Sequence, residues 1–407
     1  MARPLVNLSS DKQLLLACAR AQSAEQFRSE AALIIGQAPD LDWQAVLDGA
    51  LYHGLAPLLW HYLNGATEAR VPAQVLAQLR REHDHALAAS LLLQHDFRQA
   101  VTALGNAGVP VIALKGIGTS ELLYAHPGLR PMGDLDLLVP REQLEHAVSA
   151  LTSLDYREAR PTQRQHLAAL GDALWPAGEW GQPKHVTLAR RDAGVQRLLE
   201  LHWELEYWRT RGALNGSAAA TAWRNAQPMR VAGVQTRLLA DEEFVLHLLA
   251  HFGLHGLGLL VWLTDIDRLI RRKQGELDWD RITDLARASD LQLVAGATAY
   301  CLREWLGTPL PSGVFAGTDR WRTAALEWTL ASRGKQPGAP NGYLIELCQW
   351  LNARGVSRRT MGLLRRLFPP PAVMAATYDV RGVRLPGAYL MRPLLLVRGL
   401  ISGGRHG

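Results

Sequence analysis

Two aspartates separated by one residue are the chemically most suggestive feature of this 407-residue chain. Asp134 and Asp136 flank Leu135 in the segment 130–139, Arg-Pro-Met-Gly-Asp-Leu-Asp-Leu-Leu-Val. Side chains two positions apart on a β-strand point to the same face, so both carboxylates should project together while the leucines face a core. Adjacent carboxylates repel each other unless a cation lies between them, and Mg²⁺ prefers oxygen ligands. The pattern predicts a metal site for phosphoryl transfer; a solvated pair at a strand end is the alternative.

A site with two Mg²⁺ ions needs a third carboxylate, because the ions lie ~3.5–4 Å apart and both require ligands. Glu200 is the candidate, since it alternates with His202 and Glu204 in the segment 196–205, which has the pattern of a strand. Glu204 competes with Glu200 for the role, and a surface salt bridge is the alternative for Glu200. His202 and Glu204 could orient the ligands from behind, or His202 could be a core histidine beside Trp203.

A glycine-containing segment follows a short apolar strand predicted at residues 109–114. It is predicted to form a turn that opens a helix, where Gly116 and Gly118 would let the backbone approach a phosphate group. N–H groups at the helix N-terminus would donate to phosphate, and Thr119 or Ser120 would add a hydroxyl. Replacement of Gly118 by valine is therefore expected to weaken binding of the phosphate-containing ligand more than it weakens folding.

Two cationic side chains close to these motifs could neutralise phosphate charge. Lys115 precedes the first glycine, and Arg130 could bind phosphate with two parallel hydrogen bonds. Lys115 could instead be structural, and Arg130 could pair with Asp134 or Asp136 when no ligand is bound. For Asp136→Asn we expect loss of activity and an unchanged or higher melting temperature, because one of two repelling charges is removed.

The hydrophobic content of 48% is sufficient for several cores in a chain of this length. Apolar residues recur at helical spacing over residues 10–105 and again from Asp241 to about Leu306, with strand-like segments between them. We therefore divide the chain into an N-terminal helical region, a mixed core, a helical domain and a C-terminal helical extension, at residues 1–104, 105–235, 236–332 and 333–407.

Three histidines on one predicted helix face are a second candidate site. His247, His251 and His255 are spaced four residues apart, and Asp265 and Asp267 follow. Histidines at this spacing can bind a metal, although the glutamate of the zinc-protease motif is missing between them. Packing of these histidines against neighbouring helices is the alternative.

Charge and cysteine content restrict the partners. The net charge of +6 is compatible with anionic partners or simply with an arginine-rich proteome. The three cysteines are scattered and predict neither a disulfide framework nor a zinc site.

No signal peptide or spanning segment is evident, so we expect a soluble cytoplasmic protein. Nucleic-acid binding is not expected. The segment 384–401 could contact a membrane surface or form a packed C-terminal helix.

Taken together, the motifs resemble an uncharacterised bacterial nucleotidyltransferase family of the DNA polymerase β-like superfamily. They comprise Leu114-Lys-Gly116, the paired-aspartate segment 130–139 and Leu199-Glu-Leu-His-Trp203, and similarity continues to about residue 400. The resemblance implies an α/β (α+β) core with a small mixed sheet, flanked by mainly helical regions at both ends. It also implies Mg²⁺-dependent transfer of a nucleoside monophosphate from a nucleoside triphosphate to an acceptor, with release of pyrophosphate.

The acceptor implied by this resemblance is open: a small molecule, a sugar, a peptide or a protein. Which nucleotide, ATP among them, is used is open as well. The alternative function is a non-catalytic or regulatory nucleotide-binding accessory protein of a biosynthetic cluster. Convergence of Glu200 with the aspartate pair is the feature that would favour the enzyme.

Overall fold

The computed structural model describes residues 8–64, 71–159, 185–192, 194–205, 218–255, 258–289, 291–315, 387 and 389–391. Helices form both ends of the long described portion, with one sheet between them. The helices are α1 Ser10–Arg20, α2 Ala24–Gln37, α3 Trp43–Tyr52, α4 Ala56–Leu63, α5 Ala73–Asn106, α6 Lys115–Leu123, α7 Leu144–Thr152, α8 Ala218–Asn225, α9 Asp241–Leu254, α10 Leu260–Arg272, α11 Trp279–Ala288 and α12 Gln292–Cys301. Shorter helical turns are Pro127–Leu129, Arg141–Gln143 and Leu302–Leu306.

The N-terminal helices begin where the sequence supplies capping side chains. Ser23 accepts a hydrogen bond from the Gln26 N–H at 3.1 Å, and Asp42 accepts one from the Ala45 N–H at 3.0 Å. Each bond satisfies a backbone donor that has no partner within its helix. The helical prediction for residues 10–105 is thus confirmed for the described part of this range.

The central sheet is mixed, as the sequence predicted, and the described part of the chain contributes seven strands to it. These are β1 Ile112–Ala113, β2 Asp134–Leu138, β3 Arg157–Glu158, β4 His185–Asp192, β5 Val195–His202, β6 Gln227–Val231 and β7 Val234–Leu238. The spatial order is β3-β4-β5-β2-β1-β7-β6. The pairs β2–β5 and β1–β7 are parallel and the other four pairs are antiparallel.

The register of β2, β5 and β4 collects polar side chains on one face of the sheet. Asp136 lies opposite Glu200 in the parallel pair. In the antiparallel pair, Thr187 lies opposite Glu200 and His185 lies opposite His202. Directly paired residues point to the same face, so the carboxylates and imidazoles are brought together by backbone pairing alone.

A tight turn fixes the register of the β4–β5 hairpin. Asp192 pairs with Val195, so only two residues connect the strands, and Gly194 adopts a φ of +82°. Such turns favour residues that tolerate positive φ. A slip of one residue would move every side chain to the other face, so this turn determines which side chains reach the polar face.

The opposite face of the central strands supplies the core. Leu135 and Leu137 of β2 and Leu199 and Leu201 of β5 are fully buried. This confirms the prediction that the leucines of the aspartate segment face inward. The alternation of leucine with charged residues therefore sets both the core and the polar face.

The N-terminal helical region also contacts the helices at the other end of the long described portion directly. Arg20 donates to the carbonyl of Trp305 at 3.1 Å, and Gln22 donates to Asp267 at 2.9 Å. Buried side chains from both ends and from the sheet belong to one hydrophobic cluster.

The predicted breaks at residues 333–342 and 369–371, and nearly all of the segment 384–401, lie outside the described residues. Among the helices that are described, none combines the length and apolar character needed to cross a bilayer.

Candidate active site

Asp136 lies at the centre of a buried charge cluster on the polar face. Its Oδ1 is 2.9 Å from Lys115 Nζ and 3.0 Å from His202 Nε2. Asp136 is 6% exposed, Lys115 7% and His202 1%. The Lys115 ammonium and the His202 imidazole therefore both contact this carboxylate.

The electrostatics of this cluster favour its charged form. Burial opposes ionisation of Asp136, but the Lys115 ammonium and the hydrogen bond with His202 outweigh it and hold the pKa of Asp136 well below its usual range. Burial likewise opposes protonation of His202, yet its hydrogen bonds to Asp136 and Glu200 raise its pKa. Asp136 is thus a carboxylate held between the Lys115 ammonium and the His202 imidazole, and both contacts favour its ionised form.

The backbone conformation around Leu114 places Lys115 beside Asp136. The N–H of Leu114 donates to the carbonyl of Asp136 at 2.9 Å, extending the pairing of β1 with β2. Helix α6 begins at the next residue, Lys115, whose φ is +37°. Positive φ is unfavourable for a side chain with a Cβ and is concentrated at functional positions in proteins. The strained residue is the one whose ammonium contacts the predicted metal ligand.

Asp134, in contrast, carries charge that the site does not compensate. It is half-buried at the start of β2. Burial, followed by the neighbouring charges of Asp136 and Glu200, raises its pKa from 3.8 to about 6, against weaker opposing effects of Lys115 and Arg130. The electrostatics therefore favour a proton or an added cation at Asp134.

Glu200 reaches the same cluster through His202. Its Oε2 is 3.4 Å from His202 Nε2, and its side chain is 23% exposed. The strand register places Asp134, Asp136 and Glu200 on one face of the sheet, and their convergence on a shared metal stays a prediction. Hard carboxylate oxygens are the donors that Mg²⁺ prefers, so the donor set fits this ion. Ligation of metal at Asp136 would replace or share its contact with Lys115.

Glu204 does not belong to this face, contrary to the prediction that it alternates with Glu200 and His202. Strand β5 ends at His202, so the alternation stops before Glu204. Its Oε1 accepts hydrogen bonds from the N–H groups of Leu205 at 3.1 Å and Ala219 at 3.0 Å. Ala219 lies in the first turn of α8, so Glu204 serves as an acceptor for a helix N-terminus. This role removes it as the competing third carboxylate.

The glycine segment is helical from Lys115 onward, rather than a turn before a helix. Gly118 is buried, and a Cβ at this position would lie 2.9 Å from Leu238 Cδ2 and 3.7 Å from the Phe244 ring. Thr119 Oγ1 donates to the carbonyl of Gly116 at 3.1 Å. Gly118 thus makes room for the core, and this packing accounts for the glycine without a phosphate.

The remaining members of the segment differ in what they face. A Cβ at Gly116 would lie 2.9 Å from Arg130 Nη1, so Gly116 makes room for that guanidinium. Thr119 is fully buried, and Ser120 is 3% exposed. Ser120 Oγ is buried without a hydrogen-bond partner in the described part of the chain. Backbone N–H groups in the first turn of a helix have no partner within that helix, and in α6 this turn includes Lys115. The predicted contact with phosphate is therefore assigned to the first turn of α6 alone.

We expect Gly118→Val to destabilise the protein by about 1–3 kcal/mol, because the added side chain overpacks the contact with Leu238. Nucleotide affinity measured below the unfolding transition should change little. Gly36→Val is the matched control, since a Cβ at this helical position has nothing within 4 Å. Urea denaturation and nucleotide titration of both variants check this, and selective loss of affinity with normal stability would restore the phosphate-cradle role.

Arg130 is engaged by a partner that the sequence did not indicate. Its Nε and Nη2 donate to Asp265 Oδ2 at 3.2 and 2.8 Å, and its Nη1 donates to the carbonyl of Pro131 at 3.1 Å. Tyr124 donates to the other oxygen of Asp265 at 2.7 Å. Arg130 therefore joins the site region to helix α10. Its pairing with Asp265 replaces the predicted pairing with Asp134 or Asp136, and its contacts do not support phosphate binding.

The histidine helix is packed rather than arranged as a metal site. The His251 ring lies 4.4 Å from that of His255 and 4.5 Å from that of Trp262, centroid to centroid. Asp265 binds Arg130, and Asp267 accepts from Thr308 at 2.6 Å. Within the described ranges, no trio of metal-ligating side chains forms at this helix. The geometry favours the alternative that these residues pack against neighbouring helices.

His185 is a site residue that sequence reasoning missed. One ligand atom each from His185, Glu200 and His202 lies within 4.8 Å of the others. Counting backwards from the two-residue turn of the β4–β5 hairpin would have placed His185 opposite His202, because the pairing runs without interruption from Asp192–Val195. The available signal was the hairpin register rather than any local motif.

The chain matches a family of known proteins over more than half of its length. The sequence model of a family described as "Uncharacterised nucleotidyltransferase" matches residues 39–307. A search of curated proteins found no match. One solved structure that resembles the chain is an antigenic nucleotidyltransferase-like protein from Paracoccidioides brasiliensis, at 18% identity and a TM-score of 0.29 over 56% of this chain and 95% of that chain. At this TM-score the resemblance supports no inference about function.

Proposed function

This chain belongs to the uncharacterised nucleotidyltransferase family, and from that premise we propose that it is a Mg²⁺-dependent nucleotidyltransferase. The reaction transfers a nucleoside monophosphate from a nucleoside triphosphate to an acceptor and releases pyrophosphate. The observation that carries the proposal is the placement of Asp134, Asp136 and Glu200 on one sheet face beside Lys115. Catalysis of this reaction needs mainly positioning and charge neutralisation, which this face supplies.

Asp134, Asp136 and Glu200 are the residues that would hold two Mg²⁺ ions in this proposal. Bound ions would neutralise charge that develops on the phosphate oxygens and would orient the attacking and leaving oxygens. The excess negative charge at Asp134 supports this assignment, because burial and two neighbouring carboxylates raise its pKa to about 6. His202 is a positioning residue that holds Asp136 and Glu200 from behind.

Side chains and backbone groups of the protein are assigned to proton transfer and to phosphate binding. An oxygen of the acceptor attacks the α-phosphorus, the bond from phosphorus to pyrophosphate breaks, and the acceptor's proton passes to Glu200, whose side chain is more exposed than that of Asp136. Lys115 and the first-turn N–H groups of α6 receive the phosphates. When phosphate binds, the Lys115 ammonium can move from Asp136 to the nucleotide, since both are anions within reach of a flexible side chain.

The acceptor in this proposal is a small molecule, a sugar, a peptide or a protein, rather than nucleic acid. Arg130, whose guanidinium faces Asp265, is assigned to the scaffold of the site and not to phosphate. Thr119 is likewise assigned to the scaffold, because its hydroxyl bonds the carbonyl of Gly116.

A regulatory nucleotide-binding protein is the second candidate, and one observation favours it. The Asp136 carboxylate is paired with Lys115 and hydrogen-bonded to His202, so groups of the protein itself compensate its charge. Such a protein would bind nucleoside triphosphate through Lys115 and the α6 N-terminus without turning it over.

Pyrophosphate release separates these two candidates. The purified chain is incubated with each of the four ribonucleoside triphosphates, with Mg²⁺ or with a chelator, and with cell extract as a source of acceptor. Mg²⁺-dependent pyrophosphate release that is lost in Glu200→Gln supports the enzyme. Nucleotide binding by calorimetry with no release under any of these conditions supports the regulatory protein.

The binding of divalent metal should depend on pH through Asp134. Its carboxyl is protonated below its pKa of about 6, and a cation must displace that proton. Affinity for Mn²⁺, used as a probe for Mg²⁺, should rise as pH increases through 6 and become constant above about 7. Calorimetric titration between pH 5 and 8 measures this, and Asp134→Asn should bind weakly with no inflection near pH 6. An inflection that persists in Asp134→Asn would assign the titration to another group.

A further inference from the structure

We propose that His185, Glu200 and His202 form a second metal site that takes a borderline transition-metal ion such as Zn²⁺, and that its occupation inhibits nucleotidyl transfer. The inhibition rests on the proposed function, whereas the metal site itself does not. Two imidazoles and one carboxylate on a shared sheet face carry the inference.

The spacing of the three ligand atoms suits one ion. Glu200 Oε1 is 3.8 Å from His185 Nε2, and Glu200 Oε2 is 3.4 Å from His202 Nε2. With one ligand atom taken from each residue, all three atoms lie within 4.8 Å of one another. Ligands about 2.0–2.1 Å from a tetrahedral zinc ion are separated from each other by roughly 3.4 Å, so side-chain shifts of about an ångström would close the site onto one ion. The backbone pairing of β4 with β5 already holds His185 opposite His202.

The chemistry of the donors separates this site from the aspartate pair. Imidazole nitrogen is a good ligand for Zn²⁺ and similar ions, whereas Mg²⁺ prefers oxygen and retains water. Three protein ligands leave a fourth position open to water. The His185 and Glu200 side chains are 33% and 23% exposed, whereas His202 is 1% exposed. An ion can thus enter from the solvent side and meet the buried imidazole last.

Glu200 and His202 connect the second metal site to the proposed Mg²⁺ site. Glu200 is a proposed Mg²⁺ ligand, and His202 Nε2 contacts Asp136. A metal bound by His202 Nε2 would displace the proton of that nitrogen and withdraw the imidazole from Asp136, and the same metal would occupy the Glu200 carboxylate that the proposed Mg²⁺ site needs. The two sites would therefore compete for their ligands, and Zn²⁺ should inhibit by displacing productive Mg²⁺ rather than by competing with nucleotide.

The experiment uses Co²⁺ and Zn²⁺ as probes with the full chain. The visible absorption of a tetrahedral Co²⁺ site should saturate at one equivalent, because Co²⁺ held by oxygen ligands at the aspartate pair absorbs far more weakly, and Zn²⁺ should abolish this absorption. His185→Gln should weaken binding by about 100-fold or more, since a direct ligand is lost. His185→Cys should retain binding and add a thiolate-to-cobalt charge-transfer band, because thiolate is also a zinc ligand. His255→Gln, at an exposed histidine of the packed helix, is the matched control and should bind like the parent.

The possible results test the metal site and the inhibition of nucleotidyl transfer separately. Parent-like Co²⁺ binding by His185→Gln, or loss of binding in His255→Gln, overturns the site. A Co²⁺ signal that follows these expectations in a protein without turnover supports the site and counts against the proposed function. Where turnover is present, Zn²⁺ should inhibit the parent. In His185→Gln, the Zn²⁺ concentration that halves the variant's own activity should be about 100-fold higher. Equal inhibition of both would overturn the regulatory part.

Discussion

Replacement of Asp136 by asparagine should abolish Mg²⁺-dependent turnover and destabilise the fold by about 3–5 kcal/mol. Loss of turnover follows from the proposed metal ligation. The stability loss follows from the contacts: Lys115 and His202 are buried and would face a neutral amide in place of a carboxylate. This reverses the expectation from sequence, which assumed that the charge at Asp136 was repelled rather than compensated.

The matched control, Asp134→Asn, should also lose turnover but should be more stable than the parent. The pKa of Asp134 is 3.8 in an unfolded chain and about 6 in the folded protein, so its ionised form is disfavoured by folding. The destabilisation is fully present above pH 6, where it amounts to at most about 3 kcal/mol, and it disappears as pH falls below 3.8. The stability gain of Asp134→Asn should therefore shrink between pH 8 and pH 4.5.

Chemical denaturation of the two variants at both pH values, together with pyrophosphate assays, measures these effects. Opposite signs of the stability change in neighbouring aspartates would be hard to produce by general disruption of β2. Equal stabilisation by both substitutions would show that Asp136 is not compensated by Lys115, and an active Asp136→Asn would remove it from the proposed metal ligands.

Replacement of Arg130 by methionine should cost about 3–5 kcal/mol of folding free energy without a separate effect on nucleotide affinity. The side chain of Asp265 is 1% exposed, and Arg130 supplies its ion pair at 2.8 Å. Removal of one partner of a buried pair leaves the other charge without compensation. The loss is a large fraction of the stability of a typical domain, so the melting temperature should fall clearly.

A second substitution tests this assignment. Addition of Asp265→Asn to Arg130→Met removes the buried charge, so the double variant should be less destabilised than the sum of the two single variants. Arg157→Met is the control for loss of an exposed arginine, since the Arg157–Asp155 pair lies at the surface with side chains 62% and 84% exposed. Its effect should stay within about 0.5 kcal/mol. A stable Arg130→Met protein with weakened nucleotide binding would return Arg130 to the phosphate site.

The sequence alone determined the features that follow from alternation along a strand. Asp134 and Asp136 on one face, and Leu135 and Leu137 in the core, need only the two-residue period of β-structure. The helical character of the N-terminal region is similarly a local consequence of hydrophobic periodicity, whereas the mixed sheet was implied by the family resemblance. The motifs around these elements also indicated the nucleotidyltransferase family, and the family model that matches residues 39–307 confirms it.

Only the tertiary structure decided which charges meet. Arg130 and Asp265 are 135 positions apart, and no spacing rule relates them. Glu204 left the polar face because β5 ends at His202, and the ends of elements are poorly defined by periodicity. Lys115 reached Asp136 through the pairing of Leu114 with β2. The stability effects of charged residues depend on burial and on the nearest opposite charge, which are properties of the packed chain and not of the strand that carries them.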